Sequence, residues 1–106
     1  MMTPADKIIL EDLAGRVRSR YPKARLWAFG SRARGGADWD SDFDVCIVLP
    51  VSDAAAEEYI RDMAWEVGFE KERVITTVVF CESEFERGPM SESTLVENIL
   101  SEGIAA

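Results

Sequence analysis

The chain has 106 residues, 47% of them hydrophobic, enough for one domain with one apolar core. Its net charge of −8 argues against a general nucleic-acid binder, which needs a basic face for phosphates. It has no histidine and two cysteines, Cys46 and Cys81, which excludes Ser-His-Asp, Cys-His and imidazole-metal chemistry and leaves acid–base or metal work to carboxylates.

The charge is unevenly spread. Residues 1–35 hold eight Lys/Arg and three acids, and the remainder holds four Lys/Arg and seventeen acids. Arg16, Arg18, Arg20 and Lys23 read as a solvated basic helix face. Met1 to Asp6 lacks the basic start and apolar stretch of a signal peptide, and no apolar run approaches the ~20 residues of a transmembrane helix. A cytoplasmic address without a membrane partner is expected. Cys46 lies inside an apolar run and reads as a core residue.

Thr3-Pro4 opens a helix over 4–20, with Thr3 as N-cap and Pro4 at the first helical position. Ile9, Leu10, Leu13, Ala14, Val17 and Tyr21 recur at helical spacing, and Pro22 stops the helix. Residues 25–29 form a short strand closed by Gly30. Residues 31–41, rich in Gly, Ser, Asp and Arg, read as loop. Residues 43–49 are almost continuously apolar and end at Pro50, as suits a central strand covered on both faces.

Ser52 or Asp53 caps a second helix over 53–67, with Gly68 as the residue past its end. Residues 73–81 are β-branched and read as a third strand. Residues 82–90 read as loop. Thr94 to Glu97 has a capping-box pattern opening a last short helix, with Gly103 just beyond it. The whole chain, 1–106, reads as one α/β domain: a small mixed sheet of at least three strands backed by the helices 4–20 and 53–67, with the Gly30 loop and the Asp42–Asp44 strand facing an open side. Trp27 and Trp65 read as core or partner-facing residues, and Trp39 as a residue to test for nucleotide contact.

The stretch from Gly30 to Asp44 carries the chemistry. Asp42 and Asp44 are two apart at the mouth of a strand, so both carboxylates leave one face and repel each other. A divalent cation resolves that conflict, and oxygen ligands alone select Mg²⁺ or Mn²⁺. Mg²⁺ takes the rest of its shell from water and phosphates, which makes a triphosphate the natural second ligand. Upstream, Gly30 lets the backbone approach a phosphate, Ser31 offers hydroxyl and amide donors, and Arg32 and Arg34 add positive charge.

Gly30-Ser31, ten intervening residues and Asp42-x-Asp44 resemble the signature of the polymerase-beta-like nucleotidyltransferase superfamily. More narrowly, Gly30 to Gly35 and Ser41 to Asp44 are similar to the minimal nucleotidyltransferase (MNT) proteins of prokaryotes, in particular their antitoxin type. The tail from Asn98 to Ile104 is also similar. The resemblance implies that Gly30 and Ser31 hold ATP or another nucleoside triphosphate and that Asp42 and Asp44 bind metal. It implies transfer of a nucleoside monophosphate to a hydroxyl acceptor with release of pyrophosphate. It further implies a HEPN-domain partner, on which some MNT proteins place AMP.

The family's site has a third carboxylate on a later strand, acting as base and metal ligand. Here that strand carries no acid, and Thr76 or Thr77 stands in its place. Glu66, Glu70, Glu72, Glu82 and Glu84, or Asp38 and Asp40 in the loop, are candidate substitutes. The rival expectation is therefore a catalytically impaired antitoxin or scaffold that acts by binding. At this length no second domain selects an acceptor, so the acceptor is expected to be another protein, and homo-oligomerisation is compatible with the sequence. Leu95, Ile99 and Ile104 in the acidic 36–106 region are candidates for docking a basic partner.

Overall fold

The computed structural model describes residues 3–29, 43–86 and 94–106. The first helix, α1, spans Pro4–Arg20 as its spacing predicts. The Thr3 hydroxyl accepts from the Asp6 N–H at 3.1 Å, satisfying one of the helix's orphan donors. Ile9, Leu10, Leu13, Ala14 and Val17 form its buried stripe. Strand β1 (Arg25–Phe29) pairs antiparallel with β2 (Phe43–Leu49), Arg25 opposite Val48 and Phe29 opposite Asp44.

Helix α2 spans Ala54–Lys71, one turn longer than the sequence suggested. Of its two candidate caps, Asp53 is the one used: its carboxylate accepts from the Ala56 N–H at 2.8 Å. Strand β3 (Ile75–Cys81) then pairs parallel with β2. A parallel pair needs a crossover, which α2 supplies. The short helix α3 (Glu82–Glu86) follows where a loop was expected, then α4 (Thr94–Glu102) and a two-residue strand β4 (Ile104–Ala105). Among the described residues the sheet order is β3-β2-β1-β4, so β2 is internal and β3 is an outer strand.

The apolar run of β2 is explained by its two faces. Phe43, Val45, Ile47 and Leu49 pack with Leu13 and Val17 of α1 and Ile60 and Val67 of α2. Cys46 and Val48 face the other way, into Phe80, Phe85, Val96 and Ile99. Helices therefore cover both faces. The side expected to be open is closed by α3 and α4 over most of its length. Trp27 belongs to that second layer, stacked on Phe85 with ring centroids 5.4 Å apart. Ile99 is fully buried there, which removes it from any docking surface, while Ile104 packs against the first cluster.

Of the four basic residues read as a solvated face, Arg20 and Lys23 are exposed, while Arg16 and Arg18 make structural contacts. Arg16 bridges Asp12 to Glu66 and Glu70 of α2, and its hydrogen bonds to Asp12 first and Glu70 second hold its guanidinium above its ordinary pKa. Arg18 donates to the carbonyls of Ala24 at 2.9 Å and Ala106 at 3.1 Å. Arg20 lies over the rings of Tyr21 and Tyr59.

Gly68 is not the residue after α2 but a buried member of it. The chain leaves the helix through Glu72, at φ 58° and ψ 44°, whose N–H donates to the Gly68 carbonyl. The Arg73 N–H donates to the same oxygen at 2.9 Å. The returning chain comes so close that a Cβ on residue 68 would lie 2.5 Å from the Arg73 carbonyl oxygen. Alanine normally favours a helix over glycine by ~1 kcal/mol, yet here the sign reverses. Gly68→Ala is expected to lower stability by about 1–3 kcal/mol in chemical denaturation; an unchanged or raised midpoint would contradict the close approach.

Cys46 is fully buried, and burial pushes its thiol up to about 12 despite the opposing pull of Arg25. It stays protonated and shielded at neutral pH. Treating the native protein with iodoacetamide at pH 8 is expected to modify Cys81, which is half-buried, and to spare Cys46 until the protein unfolds. Peptide mass mapping reads the outcome.

Candidate active site at the Asp44 end of the sheet

Asp44 is the second residue of β2, between Phe29 on β1 and Thr76 on β3. Side chains alternate along a strand, so the cluster membership of its neighbours fixes its face. Phe43 and Val45 point to α1 and α2, and Cys46 and Val48 point to α3 and α4. Asp44 therefore lies on the α3–α4 face, at the end of it. The apolar cover that buries Cys46 and Val48 completely leaves Asp44 half-buried. It is the carboxylate at which a buried strand meets accessible space.

The parallel register decides between the two threonines. Thr76 is the partner of Asp44 and shares its face, about 4.8 Å away across the ladder. Thr77 pairs with Val45 and points to the opposite face. Thr76 is exposed. The position beside Asp44 thus carries a hydroxyl, which accepts a hydrogen bond but neither balances a dication nor takes a proton near neutral pH.

The candidate substitute acids are mostly spoken for. Glu66 and Glu70 are drawn to Arg16 at the α1–α2 contact. Glu82 and Glu84 follow the far end of β3, about 16 Å along the strand from Thr76. The Glu84 carboxylate accepts from the Cys81 N–H at 3.2 Å, and its hydrogen bonds with Cys81 hold its pKa below the usual carboxylate range. Glu72 lies at the near end, just before β3. Among the described residues no three acids or cysteines converge on one point.

Of the sequence-derived site, Gly30, Ser31, Arg32, Arg34 and Asp42 lie outside the described residues, as do Asp38, Trp39 and Asp40. Asp44 and Thr76 are the members whose relation is defined. A feature the sequence reading missed is a groove of about 1160 Å³ between the C-terminal half of α2 and the start of β3, reaching Thr76. Its signal was present in Trp65 and Phe69, four apart and off the buried Ile60, Ala64 and Val67 stripe. Among the described residues no helix is long and apolar enough to cross a membrane.

Comparison with known proteins bears on the family and the fold. The family described as "Nucleotidyltransferase domain" matches residues 10–106. No curated protein matches significantly. Among solved structures, a toxin–antitoxin crystallised with AMP-PNP is similar over 97% of this chain and 72% of its own, at 18% identity and a TM-score of 0.60. A mutant of the toxin–antitoxin MntA-HpeT is similar over the same shares, at 18% identity and a TM-score of 0.61. A crystal structure of the toxin–antitoxin MntA-HepT is similar over 93% of this chain and 69% of its own, at 14% identity and a TM-score of 0.55. At such low identity these likenesses speak for the fold. With the sequence family matched from Leu10 to the C-terminus, and an acid at the mouth of the inner strand of a mixed α/β sheet, the chain belongs to the nucleotidyltransferase domain family, with the polymerase-beta-like fold.

Proposed function

We propose that this chain is a magnesium-dependent nucleotidyltransferase that moves a nucleoside monophosphate, AMP from ATP, onto a hydroxyl of a partner protein, as the antitoxin of a pair with a HEPN-domain toxin. The observation that carries the reading is Asp44, half-buried at the end of an otherwise apolar inner strand in a chain of the nucleotidyltransferase family. The sequence places a second acid, Asp42, two residues earlier, and the similar toxin–antitoxin structures, one with AMP-PNP, support the nucleotide and the setting.

The donor set fits a hard cation: aspartate oxygens with the Thr76 hydroxyl beside Asp44, in a chain without histidine. Asp42 and Asp44 are the residues assigned to hold Mg²⁺ or Mn²⁺. When bound, the ion neutralises charge on the acids and the triphosphate. The chain's own part is positioning. Gly30 and Ser31 cradle the phosphates, and Arg32 and Arg34 offset their charge. The acceptor oxygen attacks the α-phosphorus in line, the bond to the bridging oxygen of the β-phosphate breaks, and pyrophosphate leaves. The acceptor proton passes to solvent, because Thr76 takes none.

The register supports a second reading. With Thr76 beside Asp44, activation of the acceptor is weak, and the chain neutralises its partner by binding alone. The two readings separate in one experiment. The chain is incubated with ATP, Mg²⁺ and the protein encoded beside it, and intact mass is measured. The enzymatic reading expects the mass of AMP on the neighbour, lost on chelation and reduced at least about a hundredfold in Asp44→Asn. Binding alone expects no mass change, with Asp44→Asn still neutralising the partner.

Thr76→Asp tests the deficit directly. A base at that position is worth roughly 10²–10⁴-fold in rate, so the substitution is expected to raise transfer at least tenfold. It sets a second acid beside Asp44, so it is also expected to lower the metal-free melting temperature, with recovery on adding Mg²⁺. No change in rate would remove Thr76 as the point of impairment.

A further inference from the structure

The side chain next to Asp44 is itself an alcohol. Thr76 is exposed, shares the face of Asp44 and stands about 4.8 Å from it across the parallel ladder. Among the described residues β3 is an outer strand, so no further strand covers the free side of Thr76. Thr76 also borders the open groove between α2 and β3. Among the described residues no hydrogen bond engages its hydroxyl. Nucleotidyl transfer needs a hydroxyl acceptor close to the acid that organises the phosphates, and this chain carries one at that place.

Other described hydroxyls are turned away or engaged. Thr77 pairs with Val45 and faces the α1–α2 side of the sheet. Tyr59 donates to the Arg16 carbonyl at 2.9 Å, and Ser19 donates to the same oxygen at 2.7 Å. Ser101 donates to the Glu97 carbonyl at 2.8 Å. Ser83 lies beyond the far end of β3, 3.1 Å from the Cys81 sulfur.

The strand pairing also supplies the rate argument. An acceptor fixed in the ladder needs no encounter. Well-oriented intramolecular reactions reach effective molarities of about 10⁵–10⁸ M. The base that Thr76 replaces is worth roughly 10²–10⁴-fold. Fixed placement therefore outweighs the missing base for this hydroxyl before any other.

We propose that Thr76 is a self-modification site, at which the chain transfers a nucleoside monophosphate from a triphosphate to its own side chain. The Thr76 Oγ attacks the α-phosphorus and an Oγ–P bond forms. The bond to the bridging oxygen of the β-phosphate breaks, pyrophosphate leaves, and the hydroxyl proton passes to water. The product is a phosphodiester on Thr76. It sets a negative charge beside Asp44 and fills the acceptor position, so each chain reacts once. The inference rests on the nucleotidyltransferase reading of Asp44 above and names a second acceptor for that site.

The test incubates the full chain alone with Mg²⁺ and, in separate reactions, ATP, GTP, CTP or UTP. Intact mass, peptide mapping and pyrophosphate release are measured. One nucleoside monophosphate per chain is expected, on the peptide that holds Thr76, with an equal amount of pyrophosphate. The rate per chain is expected to be unchanged by dilution, as an intramolecular step requires. Thr76→Val keeps the branched shape that strands favour, so its melting temperature is expected to hold. Its labelling is expected to fall at least about a hundredfold, because the positioned hydroxyl is gone. Thr76→Ser is expected to keep labelling. Label on another residue, label that persists in Thr76→Val, a per-chain rate that climbs with concentration, or no label with any triphosphate overturns the inference. Adding the protein encoded beside this chain separates the two readings. AMP on that neighbour with Thr76 unmodified strikes the inference alone, and no label on either protein strikes both.

Discussion

The structure turns on an acid placed at the end of a strand that is otherwise buried on both faces. β2 can be apolar from Val45 to Leu49 because α1 and α2 cover one face and α3 and α4 the other. Where the second cover ends, the side chain is Asp44. A carboxylate at that margin is held rigidly by ladders on both sides, from Phe29 and Thr76, without being sunk in apolar surroundings. Its backbone position is thereby fixed, while its side chain stays within reach of solvent. The crossover helix α2 sets the parallel register, so the same element that completes the core also chooses which side chain of β3 stands next to that acid.

The legible parts of the fold were those governed by local rules. Thr3-Pro4 at one end and Pro22 beyond the other fix α1, because capping and proline act within one turn. The unbroken run of β2 announced an internal strand. The misread parts depend on distant contacts. Residues 82–86 look polar, yet Phe85 buries against Phe80 and Trp27 and folds the segment into α3. Gly68 looks like a helix stop, but its missing side chain makes room for the Arg73 carbonyl across a turn made by Glu72. β4 is two residues long and exists only through β1, with the Ala106 N–H adding a bond to the Leu26 carbonyl at 3.0 Å.

The candidate site divides in the same way. Asp44 stands out in the sequence because an acid before an apolar strand violates the pattern around it, which makes it a candidate for function. Which threonine adjoins it was not readable, because strand pairing is a tertiary fact and a one-residue slip exchanges the two faces. The arginines of α1 show the converse. Their clustering suggested a charged surface, yet Arg16 and Arg18 spend their donors on Glu66, Glu70 and backbone carbonyls. Arg16 thereby fastens α1 to the acids of α2, and Arg18 fastens it to the chain at Ala24 and Ala106.

A threonine beside Asp44 shifts the burden of the proposed reaction from proton transfer to positioning. A missing base forgoes roughly 10²–10⁴-fold in rate. Holding an acceptor against the α-phosphate is worth effective molarities up to about 10⁵–10⁸ M in well-oriented systems. The second quantity exceeds the first, so a domain lacking the base still transfers if its acceptor is delivered by a tight complex rather than by diffusion. A hydroxyl that collides freely gains nothing from such a site. In the proposed reaction the impairment then acts as a filter: it penalises every acceptor except the one held in place.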